Sequence, residues 1–436
     1  MNDAKHVVII GGGFGGIAAA REFKRAPVRL TMIDRRNHHL FQPLLYQVAT
    51  AALNPSDIAS PIRRILRHQR NASVLLGEAS SIDTRRKIVH LLDGEVAYDY
   101  LVVATGATHS YFGHEEWLEP APGLKTLEDA VEIRRRVLVA YEAAEREIDQ
   151  QEVANWLTFV IIGGGPTGVE MAGALAEISR RVLERDFRRI DPSKARIILI
   201  EAGPKLVPAM SPESSASAER QLKRLGVEVI TDSPVTAVDD RGVMHTGIRL
   251  ESRTVIWAAG VAASPLGKTL TASSNAKLDR AGRVIVNQDL SVPDTDGVFV
   301  IGDLASINSD GKPVPGLSPA AMQEGRHAAR NIIRSMRGEP TLPFHYRDKG
   351  TLATIGKAAA VGDIGRLHVS GLVAWLMWLF VHIFFLIGFR NRFIVIIEWA
   401  WTYVRNDRGS RLITGDIEPL LERGEKLENR ERMLSK

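Results

Sequence analysis

Val7–Gly16 reads VVIIGGGFGG, and a near-copy, FVIIGGGPTG, occupies Phe159–Gly168. Each begins with an apolar, β-branched run and continues as G-x-G-x-x-G: Gly11, Gly13 and Gly16 in the first, Gly163, Gly165 and Gly168 in the second. The first glycine suits a tight turn after a buried parallel strand. The second lets a pyrophosphate approach the backbone. The third lets the next helix pack closely, with its N-terminal N–H groups facing the phosphates. One such loop is a weak signal. Two, each between an expected strand and an expected helix, predict two nucleotide sites, so that one dinucleotide reduces another. The alternative is a duplicated α/β domain with degenerate sites.

A chain of 436 residues predicts two or three domains. The sequence enters its first strand without a signal peptide, so the nucleotide domains are expected in the cytosol. Cysteine is absent, which excludes disulfides, thiolate metal sites and cysteine redox relays. The net charge of +5 suits an anionic partner, either nucleic acid or a membrane surface. The basic residues are not gathered with exposed aromatics, so nucleic-acid binding is not expected.

The second strand, Arg29–Asp34, ends on an acid 23 residues after Gly11, a spacing that suits a ribose hydroxyl; a helix N-cap is the other reading of Asp34. His38 and His39 have no acid or cysteine to complete a metal site, and none is expected. Tyr100–Gly106 (YLVVATG) is a further apolar strand, and Leu127–Ile148 a charged helix. The second unit starts near Trp156, and its helix is expected to run to about Phe187. The paired strand Arg196–Glu201 again ends on an acid, which favours a free 2′-hydroxyl and repels a 2′-phosphate: NADH over NADPH. Thr254–Val261 (TVIWAAGV) echoes the earlier strand. Val298–Ala305 (VFVIGDLA) is expected to complete the first sheet, which makes the second unit an insertion in the first.

With these pieces placed, the chain resembles the two-dinucleotide-binding flavoproteins, and specifically the type II NADH dehydrogenases, single-subunit NADH:quinone oxidoreductases. The resemblance runs from Lys5 to about Leu412 and rests on GGGFGG at Gly11–Gly16, LFQPLLYQVAT at Leu40–Thr50, VVATGA at Val102–Ala107 and GGGPTGVE at Gly163–Glu170, with WAAGV at Trp257–Val261 and VIGDLA at Val300–Ala305. It implies that FAD is held by Gly11, Gly13, Phe14, Gly15, Gly16, Asp34, Gln42, Thr105, Gly106, Asp303 and Gln323. Pro43 and Tyr46 are expected beside the flavin with Gln42. NADH falls to Gly163, Gly165, Thr167, Gly168, Glu201 and Gly260. Glu170 is expected to assist hydride or proton chemistry; a first-turn glutamate stabilised by the helix dipole is the plainer reading. Lys349 is expected as a charge partner of Glu170, or else as a surface lysine. The family's quinone-site helix opens Ala-Gln and continues to Gln-Gln, where this chain has Ser318-Pro319 and Gln323-Glu324.

Leu372–Phe389 is an 18-residue apolar run, followed by Arg390, Arg392 and the shorter apolar stretch Phe393–Val404. At ~1.5 Å per residue the run would reach about 27 Å, just enough for a thin bilayer. A spanning helix would place the C-terminus opposite the NADH site, so a monotopic hairpin at residues 371–404 is the better expectation, with Trp375, Trp378, Trp399 and Trp401 at headgroup level. A buried dimerisation helix is the alternative, and homodimerisation stays open. The expected fold is therefore α/β, with two Rossmann-like domains, the NADH domain inserted in the FAD domain, and a C-terminal membrane-associating helical segment. The expected boundaries are 1–115 and 290–345 for FAD, 155–289 for NADH, 346–413 for the membrane region and 414–436 for a charged tail. The expected activity is hydride transfer from NADH to FAD, then two-electron reduction of a membrane quinone without proton pumping, on the cytoplasmic face of the cell membrane. A soluble reductase of a ferredoxin-like protein would lack residues 372–404; a redox sensor binding NADH and FAD would not turn over.

Overall fold

The structure is a computed structural model that describes residues 4–184, 186–387, 389–405 and 410–415. It divides into two compact units: Met1–Leu40, Ala59–His109 and Val261–Lys349; and Phe41–Ile58, Ser110–Gly260 and Gly350–Lys436. The expected charged tail lies almost wholly outside the described residues.

The first unit is built on a five-stranded sheet in the order Val298–Val300, Tyr100–Val103, Lys5–Ile10, Val28–Asp34, Ala72–Leu76, with every pairing parallel. Val7, Val8, Ile9, Leu30, Met32 and Ile33 are fully buried, as continuous apolar runs in a parallel sheet should be. The strand Val298–Val300, far along the chain, closes this sheet beside Tyr100–Val103. The helix that follows it, Ser318–Met336, crosses the first loop helix, Phe14–Glu22, backbone against backbone. A Cβ on Gly325 would lie 2.2 Å from the Gly15 carbonyl oxygen, so only glycine permits this crossing.

The second unit repeats the plan with four parallel strands ordered Val227–Ile230, Arg196–Ile200, Thr158–Ile162, Thr254–Trp257. Its loop helix, Pro166–Glu177, stops short of Phe187. It widens into a π turn at Ile178–Val182, where the Leu183 N–H reaches back to Ile178 and the Ser179 hydroxyl bonds the Leu175 carbonyl. A three-stranded antiparallel sheet, Thr351–Gly356, Ala359–Ile364 and Leu367–Ser370, packs on this helix and leads into the helices Gly371–Phe385 and Phe389–Arg405.

The units divide differently from the expected domain boundaries. Residues 261–289 fall in the first unit, where Val261–Ala263 pairs with Ala107–His109 and the Thr84 hydroxyl bonds the Ser273 carbonyl at 2.5 Å. Phe41–Ile58 falls in the second, because its helix Leu45–Ala49 packs on Leu127–Arg146 and on Pro166–Glu177. The expected 18-residue apolar run is also not one helix. Its helix ends at Phe385 and the next begins at Phe389, so at ~1.5 Å per residue the first spans only about 22 Å. Among the described residues no helix is long and apolar enough to cross a membrane.

Candidate active site

The two glycine loops have the same division of labour. A Cβ on Gly11 would meet the Ala104 carbonyl oxygen at 2.3 Å, and one on Gly163 the Ala258 carbonyl carbon at 2.7 Å. Cβ atoms on Gly16 and Gly168 would each lie 1.8 Å from the carbonyl oxygen of the first glycine of their own loop. The fold itself therefore requires the first and third glycines. Gly13 and Gly165 face open space, and among the described residues no side chain caps the N-terminus of either loop helix. That leaves each helix end with room and donors for a phosphate group. Phe14 sets its ring edge-on to His39 at 5.0 Å, and Gly15 backs onto Ile301 and the Ala321 carbonyl. Thr167 lies half-buried in the first turn of the second helix.

Each strand-end acid grips the middle of its loop, an interaction that spacing alone does not reveal. Asp34 accepts the Gly12 N–H at 2.5 Å and the Arg36 N–H at 2.7 Å. Glu201 accepts Gly164 at 2.5 Å and Gly203 at 2.7 Å. Each carboxylate thus fixes its loop and keeps lone pairs for a ribose. His39, rather than joining a metal site, bonds the Gly12 carbonyl at 2.9 Å, and burial depresses its pKa to about 4.

In the first unit Gly106 turns the chain with φ +67°, and the Thr105 hydroxyl beside it is buried without a hydrogen-bond partner among the described residues. Gly302, at φ +71°, donates its N–H to Glu324 at 2.5 Å, so Glu324 braces the turn that presents Asp303. Burial, with Asp303 adding to it, pushes Glu324 up to about 7. Gln323 clamps the strap beyond the helix: its amide bonds both the N–H and the carbonyl of Arg347, each at 3.0 Å. An orphaned hydroxyl, an uncapped helix end, space over Gly13 and a carboxylate at the strand end fit a bound dinucleotide here. Gln42 lies in the second unit, half-buried at the start of a short turn before Leu45–Ala49. Gly260 closes the second unit's last strand at φ +72°, where a Cβ would strike the Phe112 ring.

Glu170 opens onto a cavity built wholly within the second unit. Tyr46, Gln47 and Thr50 line one side, Glu170 and Glu177 the helix side, Thr354–Lys357 the strand side, and Trp375, Trp378 and Trp399 the remainder. About 530 Å³ of space, open solvent included, lies among these residues, of which a water-sized sphere can occupy about 50 Å³. Burial pushes the Glu170 carboxyl up to about 8 against a hydrogen bond from the Thr354 backbone, so it is protonated at neutral pH. Lys349 is exposed in the first unit and is not among the groups that shift Glu170. The Trp399 indole N–H donates to the Gln47 side-chain oxygen at 2.7 Å, and the Gln47 amide donates to the Tyr46 hydroxyl at 2.8 Å. Trp378 stacks on His382 with ring centroids 4.3 Å apart. Gln47 and the inward placement of Trp378 and Trp399, expected instead at headgroup level, are not readable from periodicity; the Trp401 side chain lies outside the described residues, and the FQPLLYQ stretch signalled only that this loop matters.

Residues 5–325 match the pyridine nucleotide-disulphide oxidoreductase family and residues 349–405 the NDH2 C-terminal domain. The type II NADH:quinone oxidoreductase NdhA of Mycobacterium tuberculosis is 45% identical over 425 residues, covering 94% of this chain and 90% of that protein. The type II NADH:quinone oxidoreductase of Staphylococcus aureus is 30% identical over 388 residues, covering 86% and 93%. Among solved structures, NDH2 from Plasmodium falciparum in complex with NADH superposes with a TM-score of 0.85 at 21% identity, covering 94% of this chain and all of that one. The sulfide:quinone oxidoreductase of Aquifex aeolicus gives 0.72 at 22% identity, covering 92% and 96%. These two share the fold; the closer sequence relatives carry the family. Two acid-gripped glycine loops, a protonated carboxyl in a tryptophan-walled cavity and near-complete alignment with such relatives lead to one assignment: the chain belongs to the type II NADH:quinone oxidoreductase family.

Proposed function

We propose that this protein oxidises NADH and passes two electrons and two protons to a membrane quinone, without pumping protons. The observation that carries this reading is the Glu170 cavity, an apolar, aromatic-walled site with a protonated carboxyl on its wall, built against the two C-terminal helices. FAD, when bound, supplies the two-electron chemistry that links a hydride donor to a quinone.

The first unit is the FAD seat. The Phe14–Glu22 helix end receives the pyrophosphate, Asp34 the adenosine ribose, and Thr105 and Asp303 the remaining polar groups, with Gly106 and Gln323 shaping the chain beside them. The Pro166–Glu177 helix end, with Gly163, Gly165, Thr167 and Gly168, receives the NADH pyrophosphate. Glu201 takes the ribose hydroxyls and disfavours a 2′-phosphate by charge. Glu170 holds a proton for the quinone oxygen as negative charge develops there. Gln42, in the second unit, and Lys349, in the first, complete the proposed set of polar residues.

The C-terminal helices carry two apolar faces. Ala374, Trp378, Val395 and Trp399 point into the protein, whereas Leu372, Leu376, Phe380 and Phe384, spaced four apart, are exposed, as are Phe393, Ile396 and Ile397 on the next helix. A second outward apolar stripe on helices too short to span supports monotopic seating in one leaflet, where quinone is dissolved. Because NADH is an intracellular substrate, that leaflet is the cytoplasmic one.

Steady-state NADH oxidation with a panel of benzoquinones and naphthoquinones, on vesicles and in detergent, tests the reading. Turnover of at least one quinone class, with NADH preferred to NADPH, is expected. Binding of NADH without quinone reduction would replace the enzyme with a sensor, and reduction of a ferredoxin-like protein in preference to quinones would replace the acceptor.

A further inference from the structure

The Gln47–Trp399 contact fixes more than the position of a helix. An indole N–H can only donate, so the Gln47 oxygen must face Trp399, and the amide nitrogen must face the other way. Gln47 cannot flip its amide without setting two donors against each other. One amide hydrogen goes to the Tyr46 hydroxyl, and the other has no partner among the described residues. Gln47 is 7% exposed, yet it lines the cavity. Trp378, on another side of the cavity and 1% exposed, keeps its indole N–H fully buried without a partner among the described residues. Buried donors left unpaired are costly, so the second Gln47 amide hydrogen asks for an acceptor within the aromatic-walled cavity.

We propose that Gln47, locked by the Trp399 indole, is a quinone-positioning residue that donates its amide hydrogen to a carbonyl oxygen of the acceptor in the cavity shared with Glu170. The inference rests on the proposed NADH:quinone activity and deepens it. The Glu170 carboxyl and the Gln47 amide supply two donors on different walls, matching a ring that carries two carbonyl oxygens. The locked orientation keeps a donor presented to the cavity, so no side chain must turn when the quinone enters.

The test uses the FAD-loaded protein and a short-chain benzoquinone. Quinone affinity is read from quenching of the cavity tryptophans and, separately, from KM and kcat. Gln47→Met removes both the donor and the acceptor for Trp399, whereas Trp399→Phe removes the lock and leaves the amide in place. The expected result is a rise in Kd and KM of about tenfold for Gln47→Met. Trp399→Phe should give a clearly smaller rise, and in both variants kcat relative to the rate of flavin reduction should change less than KM. Gln47→Glu, ionised above neutral pH, keeps an acceptor for Trp399 but offers no hydrogen, so it guards against misfolding of the Met variant; the same loss is expected. Quinone binding within twofold of native in Gln47→Glu, or equal defects in Gln47→Met and Trp399→Phe, would reduce Gln47 to a structural strut. If the native protein reduces no quinone, the functional reading itself falls, a separate outcome.

Discussion

Gly173 lies directly against Ile355: a Cβ on the glycine would fall 1.6 Å from the Ile355 carbonyl oxygen. This contact seats the Pro166–Glu177 helix on the strand Thr351–Gly356, one turn beyond Glu170 and beside Ala174, both of which face the cavity. Gly173→Ala must therefore push the strand off the helix. A loss of about 3 kcal/mol is expected, the upper end for overpacking, together with reduced quinone turnover. Thermal unfolding of the FAD-loaded protein measures the first. Gly94→Ala, where a Cβ meets nothing within 4 Å, is the matched control; equal melting of the two variants would refute the contact's importance.

Glu201 holds the Gly164 and Gly203 N–H groups, and the proposed ribose contact would give it a second task. Glu201→Gln keeps an acceptor oxygen but loses the charge. The kcat/KM for NADH should fall by about tenfold, the scale of one charged hydrogen bond, while the NADPH/NADH ratio rises. An unchanged ratio would remove Glu201 from the ribose site.

Glu170 is pushed up to about 8, so it holds its proton at neutral pH and releases it above that value. If it supplies the proton to the reduced quinone, kcat with quinone should decline as pH rises through about 8. Glu170→Gln should lower the rate and flatten that limb. A Gln variant with the native alkaline limb would show that another group sets it.

Glu324 gives a stability prediction of definite sign. Its carboxyl is raised from 4.5 to about 7, so between those values the folded protein keeps a proton that the unfolded chain has released. Its contribution therefore makes the native state less stable as pH rises through that window, levelling above about 7. Glu324→Gln, which can still accept the Gly302 N–H, should remove this slope. Chemical denaturation across the window checks it, with FAD retention at alkaline pH as a second readout.

The outward stripe can be tested without disturbing the cavity. Because Trp378 and Trp399 face inward, deleting everything after Gly371 would strip one wall of the proposed quinone site along with the membrane face. Phe380→Ser, Phe384→Ser and Phe393→Ser combined should instead release the protein from vesicles. At about 25 cal/mol per Å² of apolar area, three exposed phenylalanines account for several kcal/mol of partitioning. Co-flotation of the triple variant at native levels would place the membrane face elsewhere.

By itself the sequence determined the local chemistry. The glycine spacing, the β-branched runs and the acids at Asp34 and Glu201 depend on contacts within a single strand–turn–helix unit, so a linear pattern records them. The FQPLLYQ and GPTGVE stretches similarly pointed to the family. The return of Val298–Val300 to the first sheet was legible too, because a parallel sheet lacking an edge strand must find one downstream. Only the tertiary structure decided what depends on pairing distant segments. It broke the apolar run after Phe385, turned Trp378 and Trp399 inward, and brought Gln47 across 352 residues to fix its amide against an indole. It also gave Glu324 to the Gly302 turn and raised Glu170 by burial. Periodicity records which residues are apolar, whereas orientation, orphaned donors and desolvation exist only once the other walls of a cavity are in place.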